Sequence, residues 1–182
     1  MEITVVTPIH KRRGWELILL GAFLALFVGM GVTYSWAIPP YEGPDEYAHL
    51  EYIDYLLDAK KLPELDLATA QISHQLVQQP PLFYAIAAAV TGWLPVDVAL
   101  ANAEINPYVS KNLSKRAYLT LPAVPTESVL APRGARLVSL LGATLAVLGT
   151  WLLARRLLPK APWAAYVAAA LVGFNPQFLF SA

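Results

Sequence analysis

Three residues stand at a spacing that suits proton chemistry: Asp45, Glu46 and His49, in the run Pro44-Asp45-Glu46-Tyr47-Ala48-His49. A carboxylate at a helix start can act as a base toward a hydroxyl or amine. An imidazole one turn later can share a hydrogen bond or a divalent metal with it. The same letters have a plainer reading, with Asp45 as the helix cap, Glu46 as a first-turn acid favoured by the helix dipole, and His49 in a surface ion pair. Further along, Gln78-Gln79-Pro80-Pro81-Leu82-Phe83-Tyr84 uses tandem prolines to pre-set the start of a short apolar helix. Arg133 and Arg136 open a long apolar run, where a guanidinium either neutralises an anionic group or snorkels to a water–lipid boundary. The sequence has no Gly-rich phosphate loop, nucleophile elbow or zinc-ligand spacing. Its zero cysteines exclude a thiol nucleophile, a disulfide framework and a Cys-ligated metal. No cofactor is specified, although the Asp45/His49 spacing admits a divalent metal.

The elements that must hold these residues are set by composition. Hydrophobic residues make up 57% of the 182-residue chain and charged ones only 14%, against roughly 45–50% and 25% in a soluble domain. Thirteen Lys+Arg balance thirteen Asp+Glu, so no net charge steers the chain toward nucleic acid. The expected class is an all-α polytopic membrane protein of about three transmembrane helices with a large outer loop. Residues 15–37 form the first expected span, about 35 Å of helix at about 1.5 Å per residue, with Glu16 as its only charge. Trp15, Tyr34 and Trp36 sit at its ends as interfacial aromatics do, and Gly21, Gly29 and Gly31 permit close helix contact. Residues 133–158 form the second span and 163–182 the third, which is expected to continue into further spans beyond the sequence given. Asn175-Pro176 is expected to kink that third span or mark its exit.

Orientation follows from the basic residues. His10, Lys11, Arg12 and Arg13 lie in the N-terminal segment 1–14, and Arg155, Arg156 and Lys160 join the second and third spans. Both clusters are expected in the cytoplasm, placing residues 38–132 outside. That segment carries most of the acids and is too long for a mere connector. Two juxtamembrane helices are expected in it. One covers about 45–61, with Leu50, Ile53 and Leu57 on one face and the rings of Tyr47, Tyr52 and Tyr55 at headgroup depth. The other covers about 80–94, short for a crossing, with Phe83 and Tyr84 at the interface. Ionisable residues are absent from 17–34 and 137–154, which argues against a transporter.

The order of these features resembles the GT-C superfamily: a first span, a Pro-rich exit (Pro39-Pro40-Tyr41-Glu42-Gly43-Pro44), Asp-Glu heading a juxtamembrane helix, P-P-L-F-Y before a short apolar helix, and a span opening with Arg. Members such as the protein O-mannosyltransferase and aminoarabinose-transferase-like families are polytopic glycosyltransferases that use polyprenyl-phosphate sugars. The likeness covers the N-terminal part of such enzymes. It implies an inverting sugar transfer from a polyprenyl-phosphate donor to an acceptor on the outer face of a bacterial inner (plasma) membrane. It implies catalytic roles for Asp45 and Glu46 in deprotonating or orienting the acceptor. Arg136, Arg133, His49 and Gln79 fall at substrate-binding positions; at Gln79 the family often carries a basic residue instead. The expected partners are the sugar-carrying lipid, bulk membrane lipids and the remaining spans of the same protein. The alternative is a non-catalytic membrane scaffold or accessory subunit of the same fold.

Overall fold

The computed structural model describes residues 9–41, 45–63, 78–96, 104–105, 119–120, 129–175 and 178. Glu42-Gly43-Pro44 and residues 176–177 and 179–182 lie outside the described residues. The described residues form five helices: α1 (Ile9–Ala37), α2 (Glu46–Ala59), α3 (Leu82–Thr91), α4 (Leu130–Leu157) and α5 (Pro162–Gly173). The all-α description needs one small addition, an antiparallel pair of two-residue strands that matches Glu104 with Thr120 and Ile105 with Leu119.

Two helices are long and apolar enough to cross a membrane: the Gly14–Ala37 part of α1, and α4. Only 17% and 22% of their most apolar windows is buried within the protein. Large side chains such as Leu19 (55% exposed), Leu145 (58%) and Leu153 (59%) face outward, unlike those of a soluble core helix. The third expected span, 163–182, corresponds to α5. The described helix ends at Gly173, where Phe174 leaves helical geometry just before Asn175-Pro176. Its length is roughly 18 Å at about 1.5 Å per residue, well under a hydrocarbon core of about 30 Å.

Packing makes two apolar clusters. One lies where α1, α4 and α5 meet, with Phe27, Val147, Ala165 and Ala169 fully buried. Small residues bring these helices together: a Cβ added to Gly173 would stand 3.2 Å from Val147 Cγ2 and 3.4 Å from Phe27 Cδ2. The other cluster joins α2, α3 and the first turns of α4 through Tyr41, Leu50, Tyr52, Ile53, Tyr84, Ala87 and Ala131. Here the structure corrects the expectation of interfacial tyrosines. Tyr52 and Tyr84 are each 1% exposed, with ring centroids 4.0 Å apart between α2 and α3. Such ring pairs contribute about 0.5–1.5 kcal/mol beyond the area they bury, and both rings serve the core. Tyr47 is half-buried, edge-on to Tyr41 at 5.8 Å.

The approach of α3 to α4 rests on Gly134. A Cβ there would lie 2.8 Å from Thr91 Cγ2, and Thr91 is fully buried with Oγ1 donating to Ala87 O at 2.7 Å. That bond fixes the rotamer, so Thr91 cannot swing away. Gly134→Ala should therefore lose about 1–2 kcal/mol, overpacking outweighing the gain in helix propensity. Gly142→Ala, whose Cβ would meet nothing within 4 Å, should be neutral or stabilising by up to about 1 kcal/mol. Thermal unfolding of the two variants in one detergent checks the opposite signs.

Candidate functional site

The site begins where α1 ends. Pro39 has no N–H, so the Ser35 carbonyl has no donor four residues ahead, and the Ile38 and Pro39 carbonyls project beyond the last turn. Arg136, reaching across from α4, supplies what is missing. Its Nη1 donates to Ser35 O (2.8 Å) and Ile38 O (2.6 Å), and its Nη2 donates to Pro39 O (2.9 Å). The remaining two N–H groups go to Glu46: Nε to Oε1 at 2.6 Å and Nη2 to Oε2 at 2.8 Å. A guanidinium has five N–H donors, and all are spent on protein. The cation also lies at the negative end of the α1 dipole.

Glu46 is equally committed, since Oε2 also accepts the Tyr41 backbone N–H at 2.6 Å. Its side chain is 14% exposed and that of Arg136 15%. The pair is a three-way clamp tying the end of α1, the start of α2 and the first turns of α4. Arg136 therefore has no N–H left for a substrate phosphate, and Glu46 is held as a structural carboxylate.

Asp45 is different. It adopts a left-handed backbone (φ 59°) at the N-cap position, makes no side-chain cap hydrogen bond, and is exposed. The capping role is not realised, and the carboxylate projects free of the helix it precedes. Asp tolerates this conformation better than most residues, whereas Tyr41 (φ 69°) does not. The N–H of Tyr41 on Glu46 and its ring in the core hold it there.

His49 lies one turn into α2, half-buried. Its Nδ1 is 2.8 Å from Tyr84 Oη, and Tyr84 Oη donates to Gln79 Oε1 at 2.6 Å. The imidazole stacks on the Tyr84 ring at 5.7 Å, and Phe83 meets it edge-on at 6.4 Å. Burial holds the His49 pKa below the usual imidazole value, against the opposing pull of Asp45 and Glu46, so the ring is neutral near pH 7. Burial pushes the Tyr84 hydroxyl up to about 12, which keeps it protonated. Gln79 thus acts on His49 through Tyr84.

Arg133 stands one turn before Arg136 and has a different fate. Its guanidinium carbon lies 4.8 Å from the centre of the Trp36 ring, and its Nε is buried without a hydrogen-bond partner. A cation stacked on an aromatic with donors unspent suits an anion. Among the described residues, no three His, Cys, Asp or Glu side chains gather as a metal site. Arg133 and Arg136 look alike as letters; the signal that distinguishes them is Pro39, whose missing N–H calls for a donor from elsewhere.

At the opposite end of the long helices, Arg155 bridges Glu16 (Nη2 to Oε1 3.1 Å), and Tyr166 Oη donates to Glu16 O at 2.8 Å. His74, Gln75 and the Asn112-Leu113-Ser114 triplet lie outside the described residues. Comparison with family models, curated proteins and solved structures finds no match to this chain.

Proposed function

We propose that this chain is the membrane-embedded N-terminal part of an inverting GT-C-type glycosyltransferase, which moves a sugar from a polyprenyl-phosphate donor to an acceptor hydroxyl or amine. One observation carries the reading. At the clamped end of α1, Glu46 and Arg136 satisfy each other, which among the described residues there leaves the acid Asp45 and the cation Arg133 without an ion-pair partner. An exposed carboxylate and a guanidinium stacked on Trp36 with its Nε unbonded supply the two charges this reaction uses. Asp45 orients or deprotonates the acceptor as it attacks the anomeric carbon, and Arg133 offsets the charge on the departing lipid phosphate.

The membrane setting is supported by the spacing of the two cross-helix ties. Position 16 to position 35 on α1, and position 136 to position 155 on α4, each rise roughly 28 Å, close to the hydrocarbon thickness of about 30 Å. Trp36 and Arg133 then lie at headgroup depth, where a lipid phosphate sits. The basic residues at the Arg155 end support a cytoplasmic placement of that side. The Asp45 end faces outward, from the inner membrane of a bacterium.

Binding of a polyprenyl phosphate to the protein in nanodiscs tests the reading. A charge-assisted hydrogen bond contributes about 1.5–3 kcal/mol, so Arg133→Gln should weaken binding roughly 10- to 100-fold. Equal binding by wild type and Arg133→Gln would overturn the phosphate assignment. Binding with no sugar transfer by the whole protein would favour the accessory-scaffold alternative.

A further inference from the structure

We propose that His49, set in one tautomer by the Tyr84–Gln79 chain, is the group that takes the acceptor's proton, with Asp45 as the orienting carboxylate beside it. This rests on the transferase reading above.

The argument is one of counting protons. Tyr84 Oη has a single hydrogen, and it is donated to Gln79 Oε1 at 2.6 Å. The 2.8 Å contact between Tyr84 Oη and His49 Nδ1 must then be filled by a hydrogen on Nδ1, with the phenol oxygen accepting. In a neutral imidazole, a proton on Nδ1 leaves the lone pair on Nε2, which has no hydrogen-bond partner among the described residues. Stacking on Tyr84 and the edge of Phe83 fix the plane of the ring, so Nε2 is aimed rather than free to swing. A buried partner on one nitrogen thus presets the other as a base, the same logic by which a hydrogen-bonded carboxylate sets a catalytic histidine.

Charges around the ring favour this use. Asp45, just before the helix that carries His49, and Glu46, in its first turn, are the anions that stabilise an imidazolium once it forms. Arg136, from α4, is neutralised by Glu46, and Tyr84, from α3, stays protonated. A carboxylate in water is a weak base near neutral pH, whereas a half-buried neutral imidazole is a stronger one that is already unprotonated there. In the step itself, the acceptor's O–H or N–H proton passes to His49 Nε2 as that oxygen or nitrogen bonds to the anomeric carbon. The carbon–oxygen bond to the lipid phosphate breaks, and the phosphate leaves with the electron pair.

Two readouts on the whole protein test this. The first is independent of transfer: nitrogen-15 NMR of histidine-labelled protein should show His49 protonated at Nδ1 and bare at Nε2 at neutral pH. Tyr84→Phe, which removes the hydroxyl that links His49 to Gln79, should erase that preference. An Nε2-protonated His49 in the wild type would overturn the proposal. The second is transfer, where His49→Gln should lose on the order of 100-fold or more in rate. Polyprenyl-phosphate binding should be unchanged, and the acid limb of the pH–rate profile should vanish. Retained rate and limb in His49→Gln, with an active wild type, would overturn the assignment of the base and leave the transferase reading standing. An inactive wild type that binds the lipid would overturn both.

Discussion

Replacing Glu46 or Arg136 by alanine is expected to lower the stability of the protein by about 3 kcal/mol, the range for breaking a largely buried ion pair from one side. The loss should exceed that of an ordinary surface bridge, because each side chain is only about 15% exposed (14% and 15%) and neither has an idle polar atom. Arg136→Ala leaves Glu46 Oε1 and the Ser35, Ile38 and Pro39 carbonyls without donors at once, with only the Tyr41 N–H remaining on Glu46 Oε2. Glu46→Ala leaves two guanidinium donors and the Tyr41 N–H unpaired. Arg136→Lys keeps the charge but has three donors instead of five, and should still lose about 2 kcal/mol. Denaturant or thermal unfolding in a single detergent measures all three. The apolar pair Glu46→Leu with Arg136→Met should not regain the loss, because the end of α1 would remain unsatisfied.

Under the proposed transferase mechanism, Asp45→Asn is expected to reduce sugar transfer on the order of 100-fold while moving the unfolding midpoint little. The carboxylate is exposed and caps nothing, so stability has small reason to change. Asparagine also tolerates the left-handed backbone at this position, so the turn into α2 survives. What disappears is the charge that, in the proposed mechanism, orients the acceptor and favours an imidazolium at His49. Glu46→Gln should show the reverse profile: a marked loss of stability, with any loss of transfer following the loss of fold. Rates of transfer from a polyprenyl-phosphate sugar, corrected for folded fraction, separate the two acids.

Much of this was visible in the letters, and what was not has physical causes. The apolar runs of α1 and α4 announce themselves because a membrane-length helix needs so many consecutive apolar residues. The Asp45-Glu46-x-x-His49 cluster is equally plain. What the letters hide is that neighbouring acids part company: the left-handed turn at Asp45 sends one carboxylate outward while Glu46 turns toward an arginine some ninety positions away. Tyr52 and Tyr84 misled for a related reason. A tyrosine on a helix face looks the same whether lipid headgroups or another helix will cover it, and here each covers the other. Gln79, though uncharged, matters as the acceptor that directs the Tyr84 proton.

A double-mutant cycle bears most directly on the split between the two acids. Stabilities of wild type, Glu46→Gln, Arg136→Gln and the double variant should give a coupling energy of about 1.5 kcal/mol or more. The parallel cycle with Asp45→Asn in place of Glu46→Gln should give a coupling near zero. Strong coupling of Arg136 to position 45, or none to position 46, would mean that the wrong carboxylate has been assigned to the scaffold.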